Sequence, residues 1–411
     1  MIPVRGVWAG SGEVGTCKDS VAAFADRLVS LKMNAVFMGV KEGDGRICWP
    51  SSKFPEIVKP EFREFDMPAI LLEECSKRGI ACHAWFIDYY EGIDGWAYKY
   101  HPEWAAKNRL GLDTTHETLR GAPYSGVWMC PAQRPGYTDQ HLVPLYQEFA
   151  ERYDFASLHH DYIRYPGDLA PDQYCFCDYC LKEIPRWAGF INDVHKNEPF
   201  AHELYDRPYL EAHWEQSPRV VPAHWKRLSR EFQSDLLLEG SFFQGGRNDL
   251  DHFFYEYRIE QINEFARLSY EAVKSANPKI KLSGAIFKNP IHSGRFIGQD
   301  WRRFARYQGI AIPMDYRDHF PGTMEHYLDL LEAGIVRQKQ WAKDCEELYI
   351  GFAIWPLYKE EPNGPYPDWK LERTVERIAS QDVDGIVMFC EWDIQKYGLE
   401  AAVKRSFGAI C

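Results

Sequence analysis

The chain has 411 residues and a net charge of −12, with no run of Lys or Arg, which removes the electrostatic footprint of a nucleic-acid binder. Hydrophobic residues make up 45% of it, enough for a sizeable core, yet no apolar stretch reaches the ~18 residues that a membrane span needs. Aromatic residues reach 15%, with 14 Trp and 24 Tyr, which suits either a large aromatic core or a protein that stacks flat apolar faces.

The opening MIPVRGVWAG reads as a strand at 4–9. No basic stretch precedes a long apolar run there, so a cytoplasmic protein is expected, or a secreted or periplasmic one if a leader has been removed. A helical pattern follows to residue 31. Strand-length apolar runs then recur at 34–40, 80–87, 155–162, 280–287, 309–314, 347–355 and 383–389. The helical patterns after them begin near 67, 139, 249, 299, 324, 368 and 399. This alternation predicts βα units and a parallel sheet. Eight units predict an α/β fold of the (β/α)8 barrel class, a single domain over 1–411; an open doubly wound sheet is the alternative. No GxGxxG follows the first strand, which argues against a dinucleotide site. Residues 168–248 lack a barrel period and are too many for a structureless loop. They are expected to form a mostly helical insertion above the barrel mouth after the fourth strand.

Barrel active sites lie at the carboxyl ends of the strands, where the βα loops converge. The third strand ends HAWFIDYYEG, offering His83, Trp85 and Asp88. The fourth ends SLHHDYIRYPG, offering His159, His160, Asp161 and Arg164. The fifth ends AIFKNP, with Lys288 and Asn289, and the sixth IPMDYRDHF, with Asp315 and Arg317. The seventh brings Trp355, and the eighth, MFCEWD, brings Glu391 and Trp392. Glycosidic cleavage needs two carboxyl groups flanking the bond. Asp161, Asp315 and Glu391 supply candidates, with Glu391 competing with Asp315 for the acid role. If Asp161 points into the barrel, strand alternation points His159 inward too. The other residues named would bind substrate, the Trp rings by stacking. Each also has an ordinary reading: a helix cap, a salt bridge, a core histidine or mouth packing.

The stretch CPAQRPGYTDQHLVPLYQEFAERYDFASLHHDYIRYP, 130–166, resembles the glycoside hydrolase-like barrels, in which a D-G-I-H-x-D-Y-I-R-Y-P segment forms the fourth strand. HPEWAAKN from His101 resembles their loop after strand three. The order of elements extends the likeness over most of the barrel, at a distance from the α-galactosidase clan. The resemblance implies that Asp161 is the nucleophile or key carboxylate and that the acid lies near the end of strand six, at Asp315. His159 and His160 stand where those barrels carry smaller or acidic residues, so the substrate is not implied.

Cys175, Cys177 and Cys180 form a C-x-C-x-x-C run with no second CxxC elsewhere. Zinc takes four such ligands, and the run supplies three, so buried thiols and no metal are the expectation, as is the absence of any cofactor. The eleven cysteines read as reduced thiols rather than a disulfide framework. The leading expectation is a hydrolase acting on an oligo- or polysaccharide. A carbohydrate-binding barrel without catalysis is the alternative, and a metal-dependent hydrolase a weaker one. That last class carries an HxH pair on the first strand, which is absent here.

Overall fold

The computed structural model describes residues 3–169, 173–197, 225–239 and 250–411. The eight apolar runs are strands: β1 Val4–Ala9, β2 Ala35–Lys41, β3 Ala81–Ile87, β4 Ser157–Asp161, β5 Lys281–Phe287, β6 Ile310–Met314, β7 Glu347–Ala353 and β8 Gly385–Phe389. Each pairs in parallel with the next, and β8 returns to β1 with Val4 opposite Gly385, so the sheet closes into a barrel in chain order. The open-sheet alternative is thereby excluded.

Both faces of these strands are covered, so their sequences are apolar at successive positions rather than alternating. Inward residues Trp8, Phe37, Ala285, Ile310, Ile312, Met314, Tyr349 and Val387 pack on one another inside the barrel. Outward residues such as Val36, Met38, Leu158 and Ile350 join the larger core beneath the helices. Gly351 makes room for the Trp8 ring, since a Cβ there would lie 2.9 Å from its Cη2 atom. A polar layer lies among these inward residues. Ser157 Oγ lies 2.7 Å from His83 Nδ1 and 2.9 Å from Ser283 Oγ, and Ser283 Oγ lies 2.9 Å from His159 Nδ1.

The helix expected at 299–307 is placed differently. Asn289 accepts hydrogen bonds from the Ile291 and His292 amides, Pro290 takes the first helical position, and a helix runs Pro290–Ile297 until Gly298 turns left-handed at φ 73°. This is the ordinary Asn cap, Pro start and Gly stop. Only the short helix Trp301–Phe304 and a 3-10 turn, Ala305–Tyr307, occupy the expected span.

Much of the expected 168–248 insertion lies outside the described residues. Its described parts are the helices Asp178–Asn197 and Arg230–Glu239 and the 3-10 turn Trp225–Arg227. They pack beside the outer helix Leu250–Ala276: Phe176 stacks on Phe254 with centroids 4.9 Å apart, and Trp187 meets Tyr257 at 6.1 Å. None of the eleven cysteines forms a disulfide. No helix among the described residues is long and apolar enough to cross a membrane.

Candidate active site

A cleft of about 950 Å³ opens at the carboxyl ends of the strands. Strand parity decides what enters it. On β4 the residues Ser157, His159 and Asp161 face inward, while His160 faces the helices. Asp161 is the topmost of the inward three and lines the cleft. Trp85, inward on neighbouring β3, donates from Nε1 to Asp161 Oδ2 at 3.1 Å, and the Tyr162 amide donates to Oδ1 at 2.7 Å. Burial pushes the Asp161 carboxyl up to about 6, against the pull of the nearby Arg164 guanidinium and these two donors. Tyr162 itself adopts a left-handed backbone, φ 55°, uncommon for a residue with a side chain. It ends the strand at Asp161 and turns its own ring into the cleft wall.

Arg164 is 9% exposed, with its guanidinium 4.5 Å from the Tyr162 ring centroid, 4.9 Å from Trp128 and 5.2 Å from Phe287. Its Nε and Nη1 atoms find no hydrogen-bond partner among the described residues. A desolvated cation held by aromatic faces with free donors is poised to take oxygen ligands from a bound molecule.

Across the mouth, β1, β2 and β8 contribute a second group. Glu13, Glu42 and Glu391 line the cleft with Lys41, Trp392 and Gln395. Glu391 pairs with Arg27 Nε at 2.6 Å and accepts from Gln395 at 3.1 Å. Glu42 pairs with Lys59 and accepts from Ser11 Oγ at 2.6 Å. Among the described residues Glu13 has no cationic partner, and its carboxylate accepts only from the Gly10 amide at 2.8 Å. Burial, with added repulsion from Glu391, Glu42 and Asp393, raises its carboxyl to about 7. Lys41 forms a fully buried ion pair with Glu91 at 2.9 Å.

Of the candidates named from sequence, Trp85, Asp161, Arg164, Glu391 and Trp392 line this cleft. The others do not. His83 and His159 point inward but lie deeper, beneath Trp85 and Asp161. Trp8 Nε1 donates to His159 Nε2 at 3.1 Å, so the proton sits on Nδ1, and burial holds both imidazoles far below their usual range. Asp88 and His160 bond each other at 2.9 Å on the outer side, where Tyr146 donates to Asp88 at 2.8 Å. Asp315 also faces outward: on β6 the inward set is Ile310, Ile312 and Met314, continued by Tyr316. The Asp315 carboxylate instead accepts from Gln338 Nε2 at 2.9 and 3.1 Å on the helix Met324–Trp341. Lys288 donates to the His319 carbonyl and lies over the Phe320 ring, and Asn289 is the cap described above. Arg317 donates to the Phe320 and Gly322 carbonyls and pairs with Glu360. Trp355, half-exposed, lies outside the lining.

Sequence reasoning missed Glu13, Glu42, Lys41, Tyr90 and Tyr316, all of which line the cleft. The first three sit in WAGSGE and GVKEGDG after β1 and β2, and the strand-end rule applied there would have found them. Among the described residues, the only grouping that could hold a metal is four cysteines, and none of them lines the cleft.

No protein-family model matches the sequence, and no curated protein does. Solved structures do. The chain resembles the glycoside hydrolase domain of PgaB (BpsB) from Bordetella bronchiseptica, with a TM-score of 0.67 at 13% identity over 98% of this chain and 99% of that one. A β-galactosidase from Rahnella sp. R3 matches with a TM-score of 0.65 at 12% identity over the whole of this chain, which spans only 55% of the galactosidase. The catalytic domain of a β-amylase from Paenibacillus polymyxa matches at 0.57 and 12% identity, over 97% of this chain and 98% of the other. At such identities the likeness is one of fold. It reaches the (β/α)8 barrel that these glycoside hydrolase structures share and not the narrower link to the α-galactosidase clan.

Proposed function

We propose that the protein is a glycoside hydrolase in which Asp161 is the essential carboxylate and Glu13 the proton donor. The observation that carries this reading is the pairing, in one aromatic-walled cleft, of two carboxyls whose surroundings set them apart. Asp161 stands beside a cation and two hydrogen-bond donors, and Glu13 is partly buried amid other carboxylates. A glycosidase needs one carboxyl ionised and the other protonated at the same pH, and different environments provide this. Glu391 suits the donor role less well, because its carboxylate is already engaged by Arg27 at 2.6 Å and by Gln395 at 3.1 Å. Asp315, buried under a helix, has no route to a substrate in the cleft. Carbohydrate is the substrate this chemistry implies. Trp85, Tyr90, Tyr162, Tyr316 and Trp392 offer faces for sugar rings, and Arg164 offers donors to hydroxyl or acidic oxygens.

The test is hydrolysis of a broad panel of aryl glycosides and oligosaccharides by wild type, Asp161→Asn and Glu13→Gln. Cleavage by the wild type that falls at least ~100-fold in Asp161→Asn supports the reading. Unchanged turnover in Asp161→Asn overturns it. Saturable binding of oligosaccharides with no turnover by any variant would instead establish the carbohydrate-binding alternative.

A further inference from the structure

Four cysteines from two distant stretches meet outside the cleft. Cys130 follows the short strand Gly126–Trp128 in the loop after β3. Cys175 and Cys177 precede the helix Asp178–Asn197, and Cys180 lies in its first turn. Their sulfurs all lie within 4.8 Å of one another, and all four residues are buried. Cys130 Sγ is 3.6 Å from Cys180 Sγ and 3.8 Å from Cys177 Sγ. These are not disulfide distances, which are about 2 Å. Four thiolates around a zinc ion at about 2.3 Å stand about 3.8 Å apart along each tetrahedral edge.

We propose that Cys130, Cys175, Cys177 and Cys180 bind a structural zinc ion. The donor set is all sulfur, which selects a soft divalent ion over magnesium or calcium. Four ligands complete the coordination shell, so no position is left for water or substrate, and the ion serves structure rather than chemistry. The surroundings suit thiolates: the Lys107 amide donates to Cys175 Sγ at 3.4 Å, and Cys180 sits at the positive end of a 20-residue helix. Binding releases the thiol protons and fixes two loops to each other. The first loop carries Trp128, and the second follows Arg164, whose guanidinium packs on the Trp128 ring. The ion thereby braces the wall that presents Arg164 to the cleft.

The inference does not depend on the glycosidase reading. The full chain, purified without chelator, is expected to carry one zinc per chain by elemental analysis. Exchange with cobalt under reducing conditions should give the visible absorption bands of a tetrahedral thiolate site. Cys177→Ser should lower the zinc content and the melting temperature, whereas Cys345→Ser, outside the cluster, should leave both unchanged. Where Cys177→Ser fails to fold, the metal content and cobalt spectrum of the wild type still decide. Wild-type protein that is free of zinc and takes up no cobalt overturns the proposal. So does iron with an iron–sulfur spectrum, or four cysteines found paired as disulfides.

Discussion

The ends of β4 and β6 carry the same residue in nearly the same setting. β4 closes on Asp161 and β6 is followed directly by Asp315, each aspartate preceding a tyrosine, and burial raises both carboxyls, Asp161 to about 6 and Asp315 to about 7. Their positions in the alternation differ. Asp161 continues the inward set of Ser157 and His159, whereas Asp315 follows inward Met314 and so faces the helix Met324–Trp341. A strand-end carboxylate is therefore a candidate only when it shares parity with the side chains that fill the barrel. On β6 that parity selects Tyr316, which lines the cleft beside Asp161.

The largest effect should separate these two aspartates. Asp161→Asn is expected to lower kcat by ~100-fold or more, because it removes the negative charge facing the substrate. Asp315→Asn should leave kcat within a few-fold. Its effect should appear in stability: a carboxyl whose folded pKa lies above the unfolded value near 4 favours the fold through its bound proton. That contribution is present below about pH 4 and is lost as pH rises through about 7. Replacement should thus remove up to ~4 kcal/mol of the wild type's loss of stability between those limits, read from denaturant midpoints across pH. A dead Asp315→Asn enzyme with an intact fold would defeat the parity argument.

Much of this was legible in the sequence. Parallel strands buried on both faces announce themselves as apolar runs, and all eight were visible. Of the residues that line the cleft, the strand-end rule named Asp161, Arg164, Trp85, Glu391 and Trp392. Facing was harder to read, since an apolar run on both sides carries no alternation to mark inside from outside. His83 and His159 show a second gap. Facing inward does not mean reaching substrate, because each step of two residues lowers a side chain by about 7 Å. The fourth cysteine was hidden because Cys130 stands 45 positions before Cys175, and only the closing of the loops brings them together.

A smaller effect tests the far wall. With Asp161 required as carboxylate and Glu13 as acid, kcat/KM should be bell-shaped in pH, with limbs near 6 and 7. Glu13→Gln should abolish the alkaline limb and cost ~100-fold on glycosides with poor leaving groups, and less on activated aryl glycosides. Arg164→Met should move the acid limb upward, since the guanidinium is the largest of the influences that hold the Asp161 carboxyl down against burial. An unmoved limb would mean that another group sets it. If Glu391→Gln rather than Glu13→Gln removed the alkaline limb, the donor would be reassigned along the same wall.

The smallest contrast lies between two rings. Trp392 is 57% exposed and lines the cleft; Trp355 is 42% exposed and does not. Exposure alone does not tell a binding ring from a merely solvent-facing one, but position does. Stacking a sugar on one face contributes about 1 kcal/mol, so Trp392→Ala should raise KM roughly 5-fold with kcat unchanged, the signature of binding shared by ground and transition states. Trp355→Ala should change neither, and measuring both constants for both variants on one oligosaccharide checks the difference. Equal increases would mean that the substrate extends beyond the cleft over the β7 loop. It would then be a longer chain than the ~950 Å³ cleft alone accommodates.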